Sequence, residues 1–170
     1  MTVISSTTDA ERLTLDLVAE FEASPARVWD VWEDPRKLER WWGPPGWPAT
    51  YTRHDFEVGG QARYYMTSPE GERHYGWLRF DLIDGPRRCE FANGLAVADG
   101  EPAPGVEPAG GVIEIEATAS GTRMLVQTRF LDLAQMELML GMGMQEGFAM
   151  ALGQVDALLR EAVPPERATA

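Results

Sequence analysis

The chain contains one cysteine, Cys89, and only two histidines, His54 and His74. A lone thiol cannot build a disulfide framework, and these three residues match no usual zinc-ligand spacing, so neither a stapled fold nor a metal is expected. Positive charge is also scarce: 15 Lys and Arg stand against 27 Asp and Glu, a formal charge of −12. The arginines are scattered, whereas phosphate recognition needs them clustered, which disfavours nucleic acid and anionic membrane surfaces as partners. No stretch approaches the ~18 apolar residues of a membrane span. The opening MTVISSTTDAERL lacks the basic start and apolar stretch of a secretory signal. With the single cysteine, this makes the cytoplasm the expected compartment. Nucleophile elbow, metalloprotease helix and phosphate loop are all missing. Gly141-Met142-Gly143 with Gly147 has the wrong spacing for a nucleotide loop and lies inside a helical pattern, so no cofactor is implied.

Helical periodicity is strongest near the C-terminus. Met136, Leu140, Met144, Phe148, Leu152, Val155 and Leu159 recur every three or four residues and line one face of a helix expected from Asp132 to about Val163. Asp132 is placed to cap it, with Gln135 completing a capping box, and Pro164-Pro165 cannot continue it. At ~1.5 Å per residue the helix would run about 45 Å, enough to cross a sheet. Gly141, Gly143, Gly147 and Gly153 lie inside it, each costing about 1 kcal/mol relative to alanine. Close packing of the helix backbone on the sheet is the expected compensation; a ligand or a moving helix needing that space is the alternative. The run from Leu138 to Met144 is apolar nearly all round, so a loop or a second subunit is expected to cover its far side, and a homodimer is plausible.

The rest of the chain alternates in strand fashion. Leu13, Leu15, Leu17, Ala19 and Phe21 mark a first strand with one buried face. Ser24-Pro25 and Asp34-Pro35 then open two short helices, the first carrying Val28, Trp29, Val31 and Trp32, the second Leu38, Trp41 and Trp42. Six further strands are expected at 50–58, 61–67, 73–83, 87–93, 112–119 and 122–131, joined by Gly- and Pro-containing turns that favour antiparallel pairing. Residues 94–111 form a Pro/Gly-rich acidic insert, expected to be a mobile surface loop with a lid over a cavity mouth as an alternative role. The length suits one domain, 1–170, with its core at about 12–163. The fold class is therefore α+β: a curved antiparallel sheet of about seven strands wrapped around a long C-terminal helix, with two short helices after the first strand.

Four runs carry a family resemblance: FEASPARVWDVWEDPRKLERWWGPPG, DFEVGGQARYYM, SPEGERHYGWLRFDLIDGPRRCEF and MQEGFAMALGQVDALL. From Leu13 to Arg160 the chain resembles the START-like, helix-grip superfamily. Within it, the similarity is to the domain of the activator of the heat-shock-protein-90 chaperone ATPase and its bacterial homologues. Gly147-Phe148 occupies the place where that family usually carries Gly-Trp, so packing is kept and an indole donor is lost. The further N-terminal domain of the eukaryotic activator is not expected in this chain. The resemblance implies a helix-grip fold and, as partners, a small apolar molecule or a chaperone. It does not fix an activity, since the superfamily includes lipid carriers, hormone binders, cyclases and chaperone regulators.

Strand alternation nominates the site. His54, Phe56 and Val58 would share one face with Tyr64 and Met66 on the next strand and His74, Leu78 and Phe80 on the one after. Met136, Leu140, Met144 and Phe148 would face them from the helix, with Trp77 as a further lining residue. Binding of a small hydrophobic or aromatic ligand between sheet and helix is the leading expectation, helped by adaptable methionines. His54 or His74 as general base, with Tyr64 as hydrogen-bond donor, would be the minimum for a cyclase or dehydratase. A one-residue register slip turns all three outward, and a buried histidine is more often a satisfied core group, so catalysis is the lesser alternative. A chaperone-linked interaction domain is the other.

Overall fold

The computed structural model describes residues 3–98 and 100–161. The Pro164-Pro165 stop and Val163 lie outside them. Among the described residues there are eight strands: β1 (Val3–Asp9), β2 (Thr14–Phe21), β3 (Ala49–His54), β4 (Gln61–Thr67), β5 (Arg73–Asp84), β6 (Arg88–Leu95), β7 (Ala109–Thr118) and β8 (Gly121–Arg129). They form one antiparallel sheet in the order β1-β2-β8-β7-β6-β5-β4-β3. β1 was not expected: its polar run SSTTD gives no alternation of apolar residues, and it is held as an edge strand by the ladder to β2.

Period-two burial decides which face is inner. Leu15, Leu17, Ala19 and Phe21 of β2, Ile113 and Ile115 of β7, and Met124 and Val126 of β8 are all buried on the concave side. Besides a register shift between Val3 and Ser5 in β1, two bulges adjust the pattern, one between Tyr51 and Arg53 in β3 and one between Phe80 and Leu82 in β5. The first lets both Tyr51 and His54 face inward although their numbers differ in parity. β3 ends at His54, so the expected continuation to Val58 does not form, and Val58 is 66% exposed. Gly59, at φ +85°, and Gly60 make the reversal there, with Gly59 N–H donating to the Phe80 carbonyl at 2.7 Å.

Helices α1 (Pro25–Glu33) and α2 (Pro35–Trp41) fill the concave face. Ser24 Oγ accepts from Arg27 N–H and Asp34 Oδ1 from Arg36 N–H, so each capping signal acts as expected, at about 1 kcal/mol per cap. Helices this short hold only through packing. Val28, Trp29, Val31 and Trp32 of the first, with Leu38 and Trp41 of the second, join the main core.

The long C-terminal helical arm is built from three consecutive segments: α3 (Leu133–Gly141), α4 (Met144–Leu152) and α5 (Val155–Glu161). Asp132 caps it by accepting from Gln135 N–H at 2.8 Å, and Gln135 Oε1 accepts from Leu131 N–H at 2.7 Å. The first break falls at Gly143, whose φ of +89° belongs to the left-handed region that glycine tolerates. At the second, Gln154 Nε2 turns back to donate to the Gly43 carbonyl at 2.7 Å, tying the arm to the chain just after α2. α5 seals the core with Val155, Leu158 and Leu159. α3 instead packs in a second, smaller cluster of Leu15, Phe130 and Met136, with Leu140 against it.

The glycines of the arm do not serve close packing. A β-carbon built at Gly141, Gly143 or Gly147 would meet nothing within 4 Å; only at Gly153 would it approach another atom closely, the Met150 carbonyl at 3.3 Å. The compensation expected from the sequence is therefore corrected: Gly143 supplies a break, and Gly147 borders open space. The far side of α3 is likewise uncovered among the described residues, with Leu138 64% and Met142 68% exposed. No helix among them is long and apolar enough to cross a membrane.

Residues 94–111 are more ordered than a structureless insert. β6 continues to Leu95, Ala96 bridges Pro102, and Val97 N–H donates to the Glu101 carbonyl at 2.8 Å. The tip lies against the outer face of β4 and β5, where Glu101 pairs with Arg63 at 3.2 Å and Ala98 and Gly100 border a groove with Tyr65 and Tyr75. It is not placed as a lid over the concave side.

Candidate functional site

Most of the concave face is filled. Trp32, Trp41 and Trp42 meet edge to face with ring centroids 4.7, 5.9 and 5.7 Å apart, and Trp41 Nε1 donates to the Val31 carbonyl at 2.9 Å. Space remains at the end where Trp42 approaches the arm. A cleft of about 220 Å³ opens there, lined by Trp42, Pro44, Tyr64, Met66, Asn93, Met144, Gly147 and Phe148. A crevice of about 20 Å³ shares Trp42, Asn93, Met144 and Phe148 with it and extends along Phe91, Gly111, Val126 and Met139.

Two larger surface grooves differ in kind. One, of about 370 Å³, is bordered by Glu20, Arg27, Asp156 and Arg160; the other, of about 510 Å³, by Arg87, Arg88, Glu114, Glu116 and Arg123. In the second the charges already satisfy one another: Arg123 pairs with Glu20 at 2.7 Å and Glu116 at 3.7 Å, and Arg88 pairs with Glu114. Exposed ion pairs of this kind contribute little and leave no unmet demand for a ligand. The smaller, apolar cleft is the better candidate site.

Tyr64 is its polar anchor, and the sheet is built to place it. Tyr64 pairs across the ladder with Gly76, where a β-carbon would lie 2.4 Å from both Cζ and the hydroxyl oxygen of the tyrosine. Glycine at 76 thus lets the phenol lie flat over β5 and reach β6, where Asn93 Nδ2 donates to its oxygen at 3.1 Å. Asn93 Nδ2 also donates to the Trp77 carbonyl at 3.0 Å. Burial pushes the Tyr64 phenol up, opposed by Asn93 and by the Trp42 indole. Trp42 Nε1 is close enough to exert that influence, yet it is buried without a well-formed hydrogen bond.

Of the residues nominated from sequence, the structure gathers Tyr64, Met66, Met144 and Phe148 around the cleft. Leu78 and Phe80 are buried in the main core, with Phe56 packed against it in edge-to-face contact with Phe80 at 5.0 Å. Met136 and Leu140 belong to the smaller cluster behind α3. Trp77 points the other way: it is paired across the ladder with Gly94, where a β-carbon would meet its indole at 2.7 Å, and it shares the outer face with Arg63. Its nomination ignored alternation, since Leu78 beside it is inward.

The histidines do not assemble with Tyr64. His74 shares the inner-facing register of Met66 but lies at the strand's start, with a side chain 54% exposed, its ring tilted against Trp47 at 5.2 Å and 4.0 Å from Glu72. His54 sits at the far side of Tyr51, whose ring contacts both His54 (5.7 Å) and Tyr64 (5.1 Å). Its Nε2 is 3.0 Å from the Glu33 carbonyl, and its ring packs on Phe56 and Phe80. Burial pushes its pKa below the ordinary value, with the Glu33 and Trp32 carbonyls opposing the shift. Neither imidazole lines the cleft.

Sequence reasoning did not nominate Pro44 or Asn93 as lining residues; Trp42 was expected chiefly as core, and Gly147 was left between close packing and space for a ligand. Asn93 carried a usable signal, being a polar residue at the same parity as the inward Cys89 and Phe91; its neighbour Gly94 disguised it as a turn.

The sequence matches the family described as "Activator of Hsp90 ATPase homolog 1-like protein" over residues 22–160. Among solved structures, a protein of Arthrobacter aurescens determined by solution NMR is 45% identical, with a TM-score of 0.90 over 95% of this chain and 94% of that one. Protein Ms6760 of Mycobacterium smegmatis is 36% identical, with a TM-score of 0.86 over 92% and 96% of the two chains. NE0264 of Nitrosomonas europaea is 29% identical, with a TM-score of 0.79 over 94% and 99%. Comparison with curated protein sequences gives no match. The eight-stranded sheet closed by a C-terminal helical arm, and the family match across both, establish that this chain belongs to the Activator of Hsp90 ATPase homolog 1-like family of the START-like, helix-grip superfamily.

Proposed function

We propose that the protein is a single-domain cytoplasmic binder of a small hydrophobic or aromatic molecule, held in the cleft between Tyr64 and Asn93 of the sheet and Met144, Gly147 and Phe148 of the arm. The observation that carries this reading is the cleft itself: about 220 Å³, walled chiefly by aromatic and methionine side chains, with only Tyr64, Asn93 and Trp42 bringing polar atoms. Apolar cavities of about 150 Å³ can hold one benzene ring. A single-ring guest with a small substituent therefore fits, whereas a long acyl chain or a steroid is too large for the space. The methionines supply an adaptable wall. Two-dimensional NMR with toluene, acetophenone and palmitate as probes tests the reading. At least one single-ring probe should shift the amide signals of Asn93 and Gly147 in a saturable manner and palmitate should not; no saturable shift with either ring would overturn it.

A second reading, an interaction domain working through its outer surface, is favoured by one observation. The solvent side of the arm exposes Leu138, Met142 and Met150, and no Lys or Arg occurs between Arg129 and Arg160. An apolar strip of this kind, edged by Glu137 and Glu146, suits a chaperone segment or a second copy of the chain. ATPase and pull-down assays with an Hsp90-type chaperone, together with sedimentation of the protein alone, test it. Neither stimulation, binding nor self-association would remove this reading.

A further inference from the structure

The orientation of one amide has a consequence for what the cleft accepts. Asn93 Nδ2 lies 3.0 Å from the Trp77 carbonyl, which can only accept. Rotating the amide would set its oxygen against that carbonyl, so Nδ2 is fixed in place. Its second hydrogen then goes to the Tyr64 oxygen at 3.1 Å. Tyr64 is thereby an acceptor toward Asn93, and its own O–H proton has no partner among the described residues. Beside it Trp42 Nε1–H is buried and, although near the Tyr64 oxygen, makes no well-formed hydrogen bond. Both residues are more than nine-tenths buried and both line the cleft, Trp42 with 7% and Tyr64 with 9% exposure.

Two unspent donors on one wall of an apolar cleft are a specific chemical demand. A buried donor left unpaired carries a desolvation penalty, and native proteins leave few of them. The other lining groups cannot meet it: Met66 and Met144 offer only weak thioether acceptors, while Pro44, Gly147 and Phe148 present no polar side-chain atom. Resting on the reading of the cleft as a ligand site, we infer that the guest is a single aromatic ring bearing a neutral hydrogen-bond acceptor, such as an aryl ketone or aldehyde. Its oxygen accepts from the Tyr64 hydroxyl and from Trp42 Nε1, and its ring packs on Phe148 and the methionines. Neutrality follows from the setting. The cleft holds no cationic side chain, and the chain carries a formal charge of −12, so an anionic acceptor would be desolvated without a counter-charge. A purely hydrocarbon guest would leave both donors unsatisfied. A site built around hydrogen-bond donors discriminates against such analogues.

The test measures the affinities of acetophenone and ethylbenzene, which differ mainly in the carbonyl, for the wild type and for Tyr64→Phe and Trp42→Phe. Each variant is first checked for native amide dispersion. Acetophenone should lose about 5- to 10-fold in affinity on Tyr64→Phe, the effect of one hydrogen bond, and ethylbenzene should stay within about twofold. Equal responses of the two probes would overturn the inference while leaving the cleft as an apolar binding site. Failure of both probes to bind the wild type would overturn the inference and the ligand-site reading together. A second measurement does not depend on the variants surviving. The carbonyl stretch of isotopically labelled acetophenone on the wild-type protein should move to lower frequency than in an apolar solvent, and an unshifted band in a bound state contradicts donation to the oxygen.

Discussion

Replacing Gly147 with alanine should make the protein more stable and a poorer binder. Gly147 lies within α4, its φ is not positive, and a β-carbon there meets no atom within 4 Å. The added methyl is therefore free of strain, and the helix interior gains about 1 kcal/mol from the change, partly because the unfolded chain loses freedom. For a chain of this length that amounts to about 2–4 °C in Tm. The open space beside Gly147 is the cleft, so the same methyl narrows it and weakens uptake of a ring-sized guest, a stability-for-function exchange. Gly143→Ala provides the opposite sign. Its surroundings are equally open, but its φ of +89° is left-handed, and a side chain there costs about 1–2 kcal/mol. Chemical denaturation of the two variants beside the wild type, with guest titrations on the folded forms, reads all three effects. Destabilisation by Gly147→Ala would mean that the helix backbone is packed at that point, and the account of the cleft would be wrong.

Other consequences can be checked separately. Cys89 is buried with its pKa pushed up to about 12, mainly by burial and then by Glu90 and Asp81, so a thiol reagent at about pH 8 should label it only as fast as the protein unfolds; prompt labelling of the native protein would contradict that placement. His54 has a native pKa below 6.5, so the unfolded chain binds its proton first as the pH falls. Its stabilising contribution is present above 6.5 and lost as the pH drops through the native pKa; the stability lost between about pH 7.5 and about pH 5 should shrink in His54→Asn, and an equal loss would refute the linkage. Gly76→Ala places a methyl in the Tyr64 ring and should cost about 1–3 kcal/mol while breaking the contact with Asn93. Unchanged unfolding free energy in that variant would show that Tyr64 does not depend on the glycine.

The fold was legible because its signals are local. Ser24-Pro25 and Asp34-Pro35 announce both helices through cap chemistry, and the apolar alternation in β2, β7 and β8 marks the inner face directly. β1 escaped because an edge strand needs no buried side chains to pair. The three segments of the arm escaped because glycine spacing alone does not say which glycine takes a positive φ. Half of the lining of the candidate cleft was legible: Tyr64, Met66, Met144 and Phe148 follow from periodicity. The remainder depends on how far elements extend and where they meet. The inward position of Tyr51 together with His54 rests on a bulge, the exposure of His74 on its place at the start of β5, and the approach of Trp42 to Phe148 on the angle between α2 and α4. None of these is encoded within a few neighbouring residues, so the histidine pair that looked like a catalytic set from alternation lies apart in space.

Intermolecular nuclear Overhauser effects between the aromatic protons of bound acetophenone and the protein locate the guest directly. A guest in the cleft gives contacts to the methyl groups of Met66 and Met144 and to the ring of Phe148, with saturation of the same signals on titration. Contacts confined to the charged groove around Arg27 and Asp156, or none to the methionine methyls at saturating guest, would contradict that placement.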